Sequence, residues 1–151
     1  MLNFEIDPSA LQPYLPAHTE IDLYNKCLIS LVGFKFSKAK LLKLPIPFYQ
    51  DFSQINLRFY VKHQRKNEIR KSVVFIKEIA EKKLLKTGAA LLFNEHYSTM
   101  LVKQNFESRN NSLTVNKEWN YIHSIANEER TEPTTNSIEK FITDRYWGYT
   151  K

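Results

Sequence analysis

The sequence predicts a mainly β fold with a few short helices, an α+β domain in which sheet dominates. Three segments carry that expectation. From Ile55 the chain alternates cleanly, with Ile55, Leu57, Phe59 and Val61 on one face of a strand and Asn56, Arg58, Tyr60 and Lys62 on the other. Val73-Val74-Phe75-Ile76 sets four large hydrophobes in a row, the pattern of a strand buried on both faces. Cys27 to Phe36 is a further apolar run of strand length. At 151 residues, 42% hydrophobic and 13% aromatic, the chain fits one domain, 1–151, with a substantial core.

Taken in order, Leu2 to Ile6 alternates weakly as a strand. Asp7-Pro8-Ser9 then starts a short helix, with Asp7 as the N-cap and Pro8 at the first helical position, where its missing N–H is no loss. Pro13 and Pro16 confine that helix to Ser9 through about Leu15. Thr19 to Tyr24 resumes an extended pattern, and Asn25-Lys26 turns it into the run from Cys27, so the two strands are expected to form a hairpin. Pro45 and Pro47 keep Leu41 to Phe48 out of a central sheet, since each removes a ladder donor, and the segment reads as surface loop or edge. Ser72 to Ile79 returns as the partner of the Ile55 strand, with Lys62 to Lys71 a solvated hairpin loop between them. Lys82 to Asn94 reads as a helix in which Gly88 costs about 1 kcal/mol relative to alanine and marks a close packing contact. Tyr97 to Phe106, Ser112 to Trp119 and Tyr121 to Ala126 are further strands, and Arg109 to Ser112 is a turn between two of them. After a polar loop, Thr135 or Asn136 caps a short helix through Asp144 that places Ile138, Phe141 and Ile142 on one face.

Composition excludes several function classes. The net charge of +6 raises nucleic acid as a partner, but the densest basic cluster lies in the hairpin loop and the aromatic residues do not interleave with it. No glycine-rich phosphate loop is present either, so no nucleic-acid partner is expected. Three glycines cannot supply a dinucleotide fingerprint, and no cofactor is expected. No apolar run approaches the roughly 18 to 20 residues that cross a bilayer, and Met1 to Glu5 carries no secretion signal, which points to the cytoplasm and away from the membrane. Cys27 is alone, which rules out an internal disulfide and a thiolate-rich metal site and leaves it to fill core space. His18, His63, His96 and His123 lack metal-ligand spacing, so no metal is expected. Trp119, Trp147 and the tyrosines near them are expected to fill the core or line the mouth of a cavity.

The candidate chemistry sits where the Val73 strand ends in Lys77-Glu78-Ile79-Ala80-Glu81-Lys82-Lys83. Charges at the end of a buried strand stand at the rim of a core. Within Lys82-Lys83 each ammonium raises the cost of charging the other, so one amine can be held neutral and nucleophilic near pH 7; the alternative is a solvated helix start with ordinary lysines. Strand parity puts Lys77 and Glu78 on opposite faces, so only one of the two can point at a given cavity.

Ile6-Asp7-Pro8-Ser9-Ala10-Leu11-Gln12-Pro13-Tyr14-Leu15-Pro16, followed by Glu20-Ile21-Asp22 and Ser30-Leu31-Val32-Gly33-Phe34, resembles the opening of the YqjF-like family of uncharacterised proteins, within the acetoacetate decarboxylase-like superfamily. Asn56 to Val61, Val74 to Ile79, Tyr97, Phe141-Ile142-Thr143 and Tyr146-Trp147-Gly148-Tyr149 extend the resemblance over nearly the whole chain. It implies a mostly antiparallel, cone-like β-barrel enclosing a pocket. In the decarboxylase relatives a lysine forms an imine with a β-keto acid, and the cationic nitrogen takes up the electrons released as CO2 leaves. Carried over residue by residue, Lys77-Glu78-Ile79 resembles the basic-Glu-aliphatic triplet and Lys82-Lys83 the lysine pair. The resemblance thus makes Lys82 the imine-forming residue, Lys83 the neighbour that lowers its pKa, and Glu78 a pocket carboxylate, with Lys77 beside them.

The chain departs from the decarboxylase pattern in ways that oppose catalysis. Glu81 stands where a proline precedes the lysine, and its carboxylate favours the charged amine. Gln54 falls near the second pocket glutamate and cannot take a proton, and the N-terminal arginine has no counterpart. Arg58, on the polar strand face, can replace it as a bidentate clamp on a carboxylate, or can be a surface arginine paired to a neighbouring strand. Family members also start earlier and run further, so the barrel is expected to be incomplete at both ends, with open edges that invite a homo-oligomer. Two readings stay open: a small-molecule-binding β-barrel without catalysis, and a lyase-like enzyme acting on a small keto acid through a Schiff base on Lys82.

Overall fold

The computed structural model describes residues 1–37, 40, 41, 44, 45, 52–66, 68–80, 97–99, 102–106, 110–115, 121–125 and 132–150; the helix expected from Lys82 to Asn94 lies outside them. The described strands are β1 (Leu2–Glu5), β2 (Glu20–Ile21), β3 (Leu28–Phe36), β4 (Lys40–Leu41), β5 (Leu44–Pro45), β6 (Phe52–Arg65), β7 (Glu68–Ala80), β8 (Tyr97–Thr99), β9 (Val102–Phe106), β10 (Asn110–Val115), β11 (Tyr121–Ile125) and β12 (Trp147–Thr150). A 3-10 helix covers Pro8–Tyr14 and an α-helix, α1, covers Ile138–Thr143. The result is a mixed α+β fold built on mostly antiparallel sheet. The main sheet runs β1-β3-β6-β7-β12, with β2 also on β6 and β8 also on β7. β12 and β8 run parallel to β7.

The chain divides into two compact units, the first comprising Met1–Val32, Asn56–Ile76 and Arg130–Lys151, the second Gly33–Ile55 and Lys77–Glu129. In the first unit the sheet is covered on both faces. Leu11 from the 3-10 helix packs with Cys27, Phe59, Val61 and Val74, while Ile142 from α1 packs with Leu28, Tyr60 and Val73. Val73 and Val74 are both buried and fall in different clusters, which is the two-sided burial that the apolar run predicts. Full burial of a side chain such as Phe59 contributes about 1.5–3 kcal/mol. The second cluster also explains a departure from the alternation: α1 covers the polar face of β6 at Tyr60 and leaves that residue 1% exposed, whereas Lys62 further along keeps its side chain 43% exposed.

Local chemistry sets the covering elements. Asp7 accepts a hydrogen bond from Ser9 N at 2.8 Å, and with Pro8 it starts the turn where expected, as a 3-10 rather than an α-helix. Ser137, one residue past the expected cap, accepts from Lys140 N at 3.2 Å and begins α1. Four expectations are corrected. β2 pairs with β6 through Glu20↔Lys62 and Ile21↔Val61 rather than with β3, and Asn25, at φ 56°, closes only the Tyr24↔Lys26 bridge. The basic segment is strand almost to its middle, with β6 running to Arg65 and β7 starting at Glu68 around Lys66 at φ 47°. Asn110 and Asn111 lie within β10, paired to Ile125 and Ser124, rather than in a turn. Trp147 lies on an outer strand, half exposed, with the Arg70 guanidinium 4.5 Å from its ring centroid, so of the two places expected for it, core or cavity mouth, the core is excluded.

In the second unit β10 is the middle of a three-stranded antiparallel sheet between β9 and β11. β4 and β5 form a two-stranded ladder that includes Pro45, as its proline restricts it to do. The last residues of β7 pair with β8, Glu78 opposite Tyr97. No helix among the described residues is long and apolar enough to cross a membrane, which says nothing about a crossing by strands.

Candidate functional site

The second unit brings two of the sequence-predicted residues together. Gln54 near the start of β6 donates from Nε2 to Glu78 Oε1 at 3.0 Å, and the two residues are 4% and 7% exposed. A carboxylate withdrawn from water this far needs donors, and a side-chain amide is one of few neutral groups that can supply a directed N–H. Lys77 is exposed while Glu78 is buried, as strand parity requires. Lys82 and Lys83 lie outside the described residues.

The first unit holds Arg58 and a polar group that sequence reasoning missed. Ser30 donates from Oγ to Asn3 Oδ1 at 2.5 Å and in turn accepts from the Tyr60 hydroxyl, both hydroxyl residues being almost wholly buried. On the same face of β6, Asn56 is buried and its Oδ1 has no partner among the described residues; Arg58 Nε is likewise enclosed without an acceptor among them, and Arg58 Nη2 meets Met1 Sδ at 3.6 Å. Arg145, between α1 and β12, is also buried: it pairs with Asp22 at 2.6 Å, donates from Nε to the Phe141 carbonyl at 2.8 Å and lies 4.2 Å from the Phe141 ring centroid. The signal that could have flagged these groups was weak, since alternation alone assigns Asn56, Arg58 and Tyr60 to solvent.

Other reactive groups of the first unit are accounted for. Burial pushes the Cys27 thiol upward, with the Asp7 carboxylate adding to the effect, so it stays protonated and inert. A cleft of about 600 Å³ opens between Tyr24, Lys71, Asn136 and Lys140, but none of the predicted site residues lines it, and Asp144 sits 3.4 Å from Lys140. No group of three or more potential metal ligands occurs among the described residues.

Residues 1–151 match the DUF2071 family, described as an uncharacterized conserved protein. The chain belongs to that family. The DUF2071 match and the YqjF-like resemblance agree. No curated relative matches. Among solved structures the fold is similar to an acetoacetate decarboxylase from Legionella pneumophila subsp. pneumophila str. Philadelphia 1, with a TM-score of 0.56 at 13% sequence identity. The similarity covers 75% of this chain and 40% of the decarboxylase chain, so this DUF2071 chain spans less than half of that enzyme's length. At that identity the likeness concerns the fold.

Proposed function

We propose that this DUF2071 chain binds a small molecule without transforming it, with Glu78 and Gln54 meeting the ligand's polar group, Lys83 drawing in an anionic one, and Lys77, exposed on the opposite strand face, adding only long-range attraction. The observation that supports this reading is the buried Gln54–Glu78 bond. A carboxylate held buried and oriented by an amide is the kind of fixed polar group that sets a ligand's orientation in an otherwise apolar pocket. A sheet closed into a barrel around the ligand, as the resemblance implies, and a cytoplasmic location belong to the same reading. Acetoacetate followed by ligand-observed NMR tests it: saturable binding is expected, weakened in Glu78→Ala and retained in Lys82→Ala. Binding indifferent to Glu78 would sink it.

The second reading is a lyase-like enzyme on a small keto acid, with Lys82 as the imine-forming amine. The fold likeness to an enzyme named acetoacetate decarboxylase supports it, together with a buried carboxylate a few residues before Lys82. Borohydride reduction in the presence of acetoacetate separates the two: a covalent adduct mapped to Lys82 favours the enzyme, and an unmodified chain that still binds acetoacetate favours the binder.

A further inference from the structure

We infer that Asn56 and Arg58 form a subsite for a small carboxylate that also carries a hydroxyl, an inference that rests on the small-molecule reading and names its ligand class. Asn56, Arg58 and Tyr60 share one face of β6 in the first unit. Among the described residues the buried side-chain polar atoms without a hydrogen-bond partner are Asn56 Oδ1 and Arg58 Nε on this face, Arg145 Nη2, and Ser72 Oγ of β7. Tyr60, Ser30 and Asn3 satisfy one another. Arg145, whose side chain is 2% exposed, has Asp22 as its counter-ion and leaves only Nη2 unbonded. Arg58 has no such carboxylate among the described residues: Nε is enclosed and unbonded, and Nη2 is offered only the Met1 thioether, an uncharged and weak acceptor. Asn56, 4% exposed, keeps an Oδ1 that no donor reaches.

An enclosed Nε without an acceptor, on a half-buried arginine, and a buried amide oxygen without a donor each cost stability in a folded chain. A carboxylate fits the first through the planar fork of the guanidinium, and a hydroxyl fits the second by donating to Oδ1. Same-face neighbours on a strand stand about 6.5–7 Å apart, the reach of a three- or four-carbon hydroxy acid. Met1, 50% exposed, is the side chain such a ligand displaces from Arg58.

Calorimetric titration of the full chain with 3-hydroxybutyrate, butyrate and 1,3-butanediol separates the two contacts. 3-Hydroxybutyrate binds most tightly; Arg58→Met weakens both acids about ten- to a hundred-fold and leaves the diol unchanged. Arg58→Lys restores part of the loss, and Asn56→Leu abolishes the preference for the hydroxy acid over butyrate. Arg58→Met also melts close to the parent chain, because it breaks no ion pair present among the described residues and removes the enclosed, unbonded Nε. Unchanged acid affinity in Arg58→Met overturns the inference, as does binding of the diol without either acid. Silence toward all three compounds and toward acetoacetate overturns the reading on which it rests.

Discussion

At the scale of single residues, the compensation of a buried charge in the first unit, the Arg145 guanidinium, is testable. Arg145 and Asp22 lie 2.6 Å apart with side chains 2% and 15% exposed, so removing Asp22 strands a guanidinium in the interior. Asp22→Ala is expected to cost about 3–5 kcal/mol in urea unfolding, and a double variant that also carries Arg145→Met should recover most of it. A double variant no more stable than the single one would show that the pair is not the source of the loss. Titration gives a second check. The Cys27 pKa is raised in the folded chain, so its contribution is fully present below the ordinary thiol pKa of about 8.5 and is lost as pH climbs toward the folded value. Asp7, Glu68 and Glu139 behave oppositely: hydrogen bonds from Ser9, from Arg70 and from the first turn of α1 lower their pKa values, so their contribution holds above about pH 4 and is lost as pH falls further. Stability should therefore decline at both ends of a pH series, and a thiol reagent at pH 8 should label Cys27 only as fast as the chain opens.

Elements were legible in the sequence to the extent that their determinants are local. The alternation from Ile55, the run Val73–Ile76 and the Asp7-Pro8 start all appear as β6, β7 and the 3-10 helix, because pleat, two-sided burial and capping act over a few residues. The pairing of β6 with β7, its neighbour in sequence, was legible, whereas partner choice between strands far apart in the chain was not. β2 pairs with β6, and β12 pairs in parallel with β7, through residues far apart in the chain whose contacts leave no spacing signal. The same limit applies to the candidate site: Gln54 and Glu78 could be named individually, but their bond depends on how two strands meet. Gly148 shows the consequence for packing. The close approach expected at Gly88 lies outside the described residues, whereas a Cβ on Gly148 would stand 2.9 Å from Phe75 Cε2. Gly148→Ala must push the Phe75 ring aside, with an expected loss of about 1–3 kcal/mol. Gly148→Ala combined with Phe75→Leu should cost less than the sum of the two singles, and strict additivity would remove the packing explanation.

For the molecule as a whole, the division into two units poses a question of cooperativity that the strands themselves answer. β6 runs from Phe52 to Arg65 and the boundary between units falls at Ile55 and Asn56; β7 runs from Glu68 to Ala80 and the boundary falls at Ile76 and Lys77. Each is one continuous strand that belongs to both units. Unfolding either unit alone would have to end a strand in mid-ladder and leave its backbone groups unpaired, at a cost comparable to that of losing several hydrogen bonds. The units should therefore unfold in one transition, as is usual for chains of this length. The two tryptophans make this measurable, since Trp147 lies in the first unit and Trp119 falls within the range of the second. In single-tryptophan variants, Trp119→Phe and Trp147→Phe, fluorescence should report the same urea midpoint as circular dichroism of the same protein. A Trp119 midpoint that separates from the circular-dichroism midpoint of the same variant would mean that the shared strands do not couple the units.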